Sequence, residues 1–359
     1  MSQCAPSKEG NTHTCFDDDS LIKIAKSYNK KHSEDKIEIK YDRHELQRKV
    51  VWDQIKEKMM NFTPKCDDES CLLRNPIVEK IKDDKIHDQT LRPKIPDEWE
   101  GSLNEWLSTL DIQAVMEQYE LKYPDFRFIG PVPIDFDEEI IPDMCVSDEL
   151  CNIDLSKLYK QGVRKLGIVF NLDPHYRGGS HWVCMYIDFK TCGIYYFDSV
   201  GMLPPKEIKK LIDKIKHQGN NLVEKKLIRF GDIDDLHREE IEYTKMSNKK
   251  IKIHHSGDSN QFIDNIIFFG KSINRVVDAK GDILYLKKPV KEQNGTFISK
   301  GLKSFYNNKQ FQFKDSECGV YTIHFLEEFL KGKKFNELIS ERHTDTQMME
   351  KRKTYFRVD

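Results

Sequence analysis

The chain has 359 residues and a formal net charge of −2, from 58 Lys and Arg against 60 Asp and Glu. Its 38% hydrophobic and 11% aromatic residues are enough to build a core, so a disordered chain is excluded. The balanced charge gives no global field for nucleic acid, and no apolar stretch approaches the roughly 20 residues that span a membrane. The length predicts two or three domains, and the lack of a long apolar stretch predicts no membrane contact. Because no basic segment followed by an apolar one opens the sequence, we also expect no secretion.

Nine cysteines are present, and this odd number in a chain of such length favours free thiols, metal ligands or a nucleophile over a disulfide framework. Cys4, His13 and Cys15 cluster near the start, and Cys66 and Cys71 flank an acidic stretch. Neither set repeats as paired Cys-x-x-Cys knuckles, so the spacing is only weak support for structural zinc. We therefore predict no metal and no organic cofactor.

Residues 1–95 are predicted to form a helical, highly charged N-terminal region. Acidic residues and Ser20 mark a helix start, and the apolar residues from Leu21 to Tyr28 recur at helical spacing. A second helix is predicted over residues 42–60. In both helices Asp and Glu are interleaved with Lys, which favours a solvated docking surface over a nucleic-acid-binding arm. Four prolines then indicate a linker: Pro64, Pro76, Pro93 and Pro96.

The second region, residues 96–335, alternates helical and strand-like patterns and is predicted to be an α+β domain. Residues 336–359 are predicted to be a C-terminal tail. The predicted elements of the domain are a helix from Trp106 through Tyr119, an extended segment over 126–135, strands over 166–172, 182–189 and 194–197, a helix over 206–217, and an apolar helix after Cys318.

Two polar residues are placed where consecutive strands of this domain meet. His181 opens one predicted strand, in the sequence Gly-Gly-Ser-His-Trp, and Asp198 ends the next strand, in Tyr-Phe-Asp-Ser. If a short turn joins the two strands in antiparallel fashion, the start of one lies beside the end of the other. A carboxylate next to an imidazole selects its tautomer and stabilises the imidazolium, as a general base requires.

A third motif, Gln-Phe-Lys-Asp-Ser-Glu-Cys-Gly, leads into the last apolar helix. Its Cys318 is predicted at the helix N-terminus, where the helix dipole would stabilise a thiolate. Gln312 and the Cys318 backbone N–H are suited to hold an oxyanion. Each residue by itself also fits an ordinary role: a strand-end histidine, a turn aspartate or a small buried cysteine. Together, on these elements and in this order, they favour nucleophilic catalysis.

The order His-Trp, Asp-Ser and Gln-x5-Cys-Gly resembles the cysteine peptidases that include adenovirus protease and the SUMO-processing proteases. Within that group, residues 307–312 and 317–321 look most like the thiol proteases of large DNA viruses, such as mimivirus and African swine fever virus. Trp106-Leu107 resembles the Trp-Leu that opens the SUMO-protease domain, and the segment 128–135 fits the giant-virus proteins. The resemblance covers about residues 99–335, and its three motifs are specific only in combination.

The resemblance implies a papain-like α+β fold with the catalytic residues permuted to the order His, Asp, Cys. It implies His181 as general base, Asp198 as its orienting group, Cys318 as nucleophile and Gln312 as oxyanion donor. Trp182 matches the tryptophan that closes a narrow tunnel over a Gly-Gly strand in SUMO proteases. Viral members of the family cut after small residues, often at Gly-Gly sites in virion precursor proteins, which implies a location in the virion and the viral factory of the host cytoplasm.

One departure from the family is the 120-residue separation between Asp198 and Cys318. Residues 219–302 are therefore predicted to be an insertion, with strand-like runs at 249–253 and 282–286. Insertions around a rigid site commonly set specificity, and a surface excursion without such a role is the alternative, so the substrate is the open question.

Several functions remain open on the sequence alone. The leading hypothesis is a viral cysteine endopeptidase that processes virion precursor polyproteins, with nucleic acid as a weakly supported activator. A protease that releases ubiquitin-like proteins (SUMO or ubiquitin) from conjugates would share every motif. Acetyl transfer, known for bacterial effectors with a similar residue order, would need acetyl-coenzyme A. A non-enzymatic virion scaffold would have no physical need for the complete set of four residues.

Overall fold

The computed structural model describes residues 3–60, 66, 68–99, 104–225, 227, 239–257 and 259–357. The chain divides into two compact units. The first unit comprises residues 1–123, 314–323 and 343–359, and the second comprises 124–313 and 324–342. This division does not follow the three segments expected from the sequence, because chain beyond residue 335 belongs to both units.

The helices of the described residues include five with ten or more residues. Their bounds are α1 Asp18–Asn29, α2 Arg48–Ile55, α3 Ser70–Leu73, α4 Asp84–His87, α5 Thr109–Lys122, α6 Asp148–Cys151, α7 Leu155–Lys160, α8 Lys206–Glu224, α9 Cys318–Leu330, α10 Phe335–Ser340 and α11 Asp345–Tyr355.

The strands form a five-stranded sheet, a closed barrel and two short hairpins. The bounds are β1 Tyr41–Asp42, β2 Glu45–Leu46, β3 Phe126–Pro133, β4 Glu139–Ile141, β5 Met144–Cys145, β6 Lys165–Asn171, β7 Trp182–Asp188, β8 Gly193–Phe197, β9 Glu239–Ser247, β10 Lys250–His254, β11 Ile266–Phe269, β12 Ser272–Lys280, β13 Ile283–Leu286, β14 Asn294–Lys300 and β15 Lys303–Tyr306. In the five-stranded sheet the order is β15-β8-β7-β6-β3, antiparallel at β6–β7 and β7–β8 and parallel at both outer pairs.

The core of the second unit lies against the five-stranded sheet. Helix α8 buries Ile208, Leu211 and Ile215 in the same apolar cluster as Met185 of β7 and Tyr196 of β8. Central strands β7 and β8 are buried along nearly their whole length, which explains why they appear in the sequence as continuous apolar runs. The predicted strands are found within two residues of their expected bounds, and α8 extends seven residues beyond its predicted end.

The predicted insertion contains a closed antiparallel barrel in the order β10-β13-β12-β11-β14-β9. Its interior is filled by inward-facing apolar side chains, among them Ile251, Leu284 and Phe297. Closure leaves no strand of the barrel with an unpaired edge. The stretch 228–238 within this segment lies outside the described residues.

The first unit has its own apolar core, formed mainly by α1 and α2. Helix α1 starts as predicted, since the Asp17 side chain accepts a hydrogen bond from the Ser20 backbone N–H. The prediction of one helix over residues 42–60 was wrong at its start. A two-stranded hairpin occupies Tyr41–Leu46, with Arg43 and His44 at positive φ, so α2 begins only at Arg48. Pro64 of the predicted linker lies outside the described residues.

The expectation of free cysteine thiols was wrong for six of the nine cysteines. Disulfides join Cys4 to Cys15, Cys66 to Cys71 and Cys145 to Cys151. The partners are at most 11 residues apart in sequence, so local turns bring each pair together. The remaining cysteines, all buried, are Cys184, Cys192 and Cys318.

The predicted C-terminal tail contains two ordered helices, α10 and α11. Arg352 on α11 is completely buried in the first unit, where its guanidinium bonds both carboxylate oxygens of Glu317. A buried arginine requires such a partner, because an unpaired charge in the interior is strongly destabilising. None of the helices among the described residues combines the length and hydropathy needed to cross a bilayer.

Candidate functional site

The hairpin of β7 and β8 brings His181 and Asp198 together. Cys184 pairs with Phe197 and Asp188 with Gly193. In this register His181, just before β7, lies near Asp198, just after β8. His181 Nε2 lies 2.7 Å from Asp198 Oδ1. This contact makes Nε2 the nitrogen that faces the carboxylate, and Nδ1 the one that can exchange a proton with a substrate or nucleophile.

Asp198 is held in place by the backbone of Val200 and by Asn307. Its side chain is only 1% exposed, and Oδ1 also accepts the Val200 backbone N–H at 2.8 Å. The Asn307 amide accepts the Asp198 N–H at 2.8 Å and donates to the Asp198 carbonyl at 2.7 Å. Oδ1 thus accepts from both His181 and Val200, and Asn307 fixes the backbone of Asp198, so the position of this residue is defined before any substrate arrives.

The loop before His181 is shaped by Asn171 at the end of β6. Asn171 Oδ1 accepts the backbone N–H groups of Asp173 and Ser180. Gly179 has a φ of +88°, and a Cβ there would lie 2.2 Å from the Asn171 amide nitrogen. Glycine is therefore required at this position, both for the left-handed backbone and for the close approach of Asn171.

Gln312 is fixed against the residue that follows Asp198. Ser199 donates its hydroxyl to Gln312 Oε1 at 2.7 Å, and the Gln312 backbone N–H bonds the Ser199 carbonyl at 2.9 Å. Because Oε1 accepts this bond, Nε2 is identified as the donor end of the amide. The structure therefore brings His181, Asp198 and Gln312 into one hydrogen-bonded region of the second unit.

Cys318 lies in the first unit and is the first residue of α9, as the sequence predicts. Its side chain is 1% exposed. A Cβ at the following residue, Gly319, would lie 2.9 Å from Leu107, so only glycine permits this packing. The preceding segment is anchored by Arg352, which bonds the Ser316 carbonyl and the Glu317 carboxylate.

The electrostatics of the second unit disfavour another cysteine as nucleophile. Burial raises the pKa of the Cys184 thiol well above its ordinary value, and the Asp198 charge raises it further. The same two causes, in the same order, raise the pKa of the Tyr196 hydroxyl. Cys184 therefore stays a thiol at neutral pH, and the thiolate is the nucleophilic form.

Trp182, the predicted substrate-binding residue, is the first residue of β7 and pairs with Asn171 of β6. Its side chain is 5% exposed, so most of the indole packs within the protein. Its role at the substrate stays a prediction.

Two groups of His and carboxylate side chains lie at metal-ligand spacing among the described residues: Asp135, Glu138 and His175, and His324, Glu327 and Glu328. In the first group the His175 ring bonds the Asp135 carboxylate at 2.7 Å. In the second, Lys331 forms ion pairs with both glutamates. In both groups, side chains of the protein itself thus bind the carboxylates.

Sequence reasoning missed the residues that hold the site rather than react in it. Asn307 is 109 positions from Asp198, and Ser199 is 113 positions from Gln312. In the sequence, Asn307 is only part of a motif. Strand β15, which Asn307 follows, was not predicted, so no signal in the sequence pointed to this contact.

No family model matches the chain. Over 99% of its length it is 27% identical to a protein of Acanthamoeba polyphaga mimivirus described as a thiol protease, 94% of which is covered. Over 46% of its length it is 25% identical to a protein of African swine fever virus described as a SUMO-1 cysteine protease, 66% of which is covered.

Among solved structures, the crystal structure of an African swine fever virus protease matches with a TM-score of 0.53 and 18% identity, covering 100% of this chain and 96% of that one. The resemblance and the mixed α and β fold predicted from the motifs are both confirmed. The chain is homologous to viral thiol proteases, which are cysteine-type peptidases.

Proposed function

We propose that this homologue of the viral thiol proteases is an endopeptidase that cleaves virion precursor proteins at Gly-Gly-type sites. The proposed catalytic residues are Cys318 as nucleophile, His181 as general base and Asp198 as the group that orients it. Gln312 is the proposed oxyanion donor, and Trp182 is proposed to contact the substrate. The reaction needs no metal or organic cofactor.

The observation that carries the proposal is the bond between His181 Nε2 and Asp198 Oδ1, 2.7 Å long and formed by an almost completely buried carboxylate. A buried carboxylate bonded to one ring nitrogen keeps the proton on that nitrogen and leaves the other able to act as a base. A histidine in an ordinary structural role would not need an aspartate that is itself anchored by Val200 and Asn307.

In the proposed reaction, His181 Nδ1 takes the proton of the Cys318 thiol, and the thiolate attacks the carbonyl carbon of the scissile bond. The C–N bond then breaks, and His181 returns the proton to the departing amine. A thioester to Cys318 remains. Water attacks this thioester with His181 again as base, and the carboxylic acid product leaves with the thiol restored.

The proposed oxyanion donors are the Gln312 side-chain amide and the Cys318 backbone N–H. The bond from Ser199 to Gln312 Oε1 supports this role, because it orients the amide so that Nε2 carries the donor hydrogens. Donors that are oriented before the reaction stabilise a developing negative charge without reorganisation at the moment of bond formation.

Small residues before the scissile bond are proposed because Trp182 follows the catalytic histidine directly, as in proteases that enclose a Gly-Gly strand. We propose protein substrates, action in the virion and in the viral factory of the host cytoplasm, and nucleic acid at most as an activator. The charge-balanced N-terminal helices give that last element the least support.

A second candidate function is the release of ubiquitin-like proteins from conjugates. It is favoured by one specific observation, the similarity to the African swine fever virus protein described as a SUMO-1 cysteine protease. Both functions use the same chemistry, so the substrate alone separates them.

The test compares the full chain with Cys318→Ala on three substrates: a library of Gly-Gly-X peptides, a virion precursor protein, and SUMO and ubiquitin conjugates. We expect cleavage of peptides and precursor by the native chain, and none by the variant. Cys192→Ala is the matched control, since Cys192 is also a buried cysteine outside the disulfides, and it should retain activity.

Retention of cleavage by Cys318→Ala would refute the proposed nucleophile. Release of SUMO or ubiquitin without cutting of the precursor would refute virion processing and establish the second function. A cleavage rate that rises with added DNA at low salt, and loses this rise at high salt, would establish nucleic acid as activator.

A further inference from the structure

A cavity of about 350 Å³ lies at the end of the five-stranded sheet where β7 finishes. It is formed by β7, β8 and β15 together with the end of α9 and the start of α10, all in the second unit. Its volume is within the range of small-ligand sites, about 300–1,000 Å³. Asp188 in this cavity is seven positions beyond His181 along extended chain, a distance of roughly 23 Å.

The wall of the cavity is a cluster of aromatic rings. The Tyr195 ring lies at the centre, with centroids 5.3 Å from Phe305, 4.9 Å from Phe329 and 5.4 Å from Phe335. Tyr186 stacks on Phe329 at 4.5 Å. These rings pack on one another and present a largely apolar surface, to which a cation is attracted by the negative face of each ring.

The carboxylate of Asp188 lines the cavity beside these rings. Its Oδ1 accepts the backbone N–H groups of Lys190 and Thr191 at 2.7 and 3.4 Å. Within the described residues, no ammonium or guanidinium group forms an ion pair with it. Burial raises the pKa of Asp188, and the Asp125 charge adds to this, although the two N–H groups and Lys165 lower it. The negative charge of ionised Asp188 is thus only partly stabilised by the groups around it.

The other charged groups at the cavity do not supply that compensation. Lys333 is engaged by Glu328 and Glu341. The remaining pair at the rim, Lys334 and Glu337, contributes one charge of each sign. An anionic ligand would meet the Asp188 carboxylate, and a purely apolar ligand would bury it further without a partner.

We propose that this cavity recognises a guanidinium or ammonium group, whose charge meets Asp188 while its aliphatic stem lies on the aromatic rings. Such a group can belong to an arginine or lysine side chain of a protein or to a free amine. The site goes beyond the proposed peptidase activity and does not depend on it, because it shares no residue with the catalytic set.

The experiment is calorimetric titration of the full chain with Nα-acetyl-arginine N-methylamide, which presents the side chain as a protein would, and with agmatine, a free amine with the same head group. Nα-acetyl-citrulline N-methylamide is the neutral isostere. We expect the arginine derivative or agmatine to bind at least about tenfold more tightly than the citrulline derivative. The tighter of the two cations identifies the source.

Asp188→Asn is the decisive variant, because an asparagine Oδ1 can still accept the N–H groups of Lys190 and Thr191 and so preserve the turn. It should weaken cation binding at least about tenfold. Asp213→Asn, an exposed position on α8, is the control of equal charge change and should bind as the native chain does.

Equal affinity for the citrulline and arginine derivatives would overturn the proposal, and that comparison needs no variant. Unchanged binding by Asp188→Asn, or an equal loss in Asp213→Asn, would also overturn it. Failure of peptide cleavage would bear only on the peptidase proposal, and failure of cation binding only on this one.

Discussion

The two ends of strand β7 carry contrasting polar groups. At its start, His181 is bonded to Asp198, and Asp198 is bonded in turn by Val200 and Asn307. At its end, the Asp188 carboxylate receives backbone N–H groups and lines an open cavity walled by aromatic rings. One strand therefore begins beside an aspartate-histidine pair that is held by hydrogen bonds and ends at an aspartate that faces a cavity.

The difference shows how surroundings assign roles to the same side chain. Proton transfer needs groups held at one distance and angle, which a network of mutual hydrogen bonds provides. Recognition needs a charge whose compensation is incomplete and a space for the ligand that completes it. The predictions below test whether the two ends act separately.

The largest expected effect is at the His181 end. His181→Ala should lower kcat/KM for peptide cleavage by at least about a thousandfold, because among the described residues no other base is bonded to Asp198. Cation binding at the Asp188 end should stay unchanged in calorimetric titration. Asp198→Ala should cost less activity than His181→Ala, since Asp198 orients the base and does not react; equal losses would contradict that division of roles.

A smaller effect is expected from the oxyanion donor. Gln312→Ala should lower kcat by about a hundredfold with little change in KM, the pattern for an interaction made only in the transition state. Gln293→Ala, a glutamine in the barrel that bonds the Lys245 carbonyl, is the control and should keep native kinetics. A raised KM with native kcat would show that Gln312 binds substrate instead.

The anchor of Asp198 should contribute to stability as well as to activity. Asn307→Ala leaves the buried N–H of Asp198 without its partner and removes one of the two bonds to the Asp198 carbonyl, so it should lower the free energy of unfolding by about 1–3 kcal/mol in urea titration. The neighbouring Asn308 is exposed, so Asn308→Ala should change stability by less than about 0.5 kcal/mol. Similar effects of the two substitutions would remove Asn307 as the anchor.

The smallest effect is a pH dependence at the other end. Because the folded state raises the pKa of Asp188 above 3.8, the unfolded chain releases this proton more readily. The free energy of unfolding should therefore fall as pH rises from below 3.8 through the folded pKa, relative to Asp188→Asn. Urea titrations across that range check the sign, and saturating agmatine should reduce the fall by stabilising the carboxylate.

Much of the site could be predicted because its parts are local in sequence. His181 and Asp198 are 17 positions apart on two adjoining strands, and alternating or continuous apolar patterns locate such strands well. The start of α9 at Cys318 follows from the apolar run that begins there. The catalytic roles themselves were proposed from the order of the motifs, because a sequence does not show which residues are in contact.

Other features failed to be predicted for identifiable reasons. The helix expected over 42–60 was interrupted by a hairpin whose residues Arg43 and His44 adopt positive φ, a conformation that neither residue type signals. The cysteine count pointed to free thiols, although three pairs lie close enough in local turns to bond. The odd number of cysteines and the chain length are properties of the whole chain, so they cannot exclude a disulfide between cysteines close in sequence.

By itself, the sequence determined the short-range structure: the strands and their hairpin, the capped helix α1, the apolar helix α9 and the side chains able to react. Only the tertiary structure decided which distant residues hold them, such as Asn307 against Asp198 and Arg352 against Glu317. It also decided that aromatic residues from three strands and two helices surround Asp188. The physical reason is that period and capping act over a few residues, whereas burial and pairing depend on how distant segments pack.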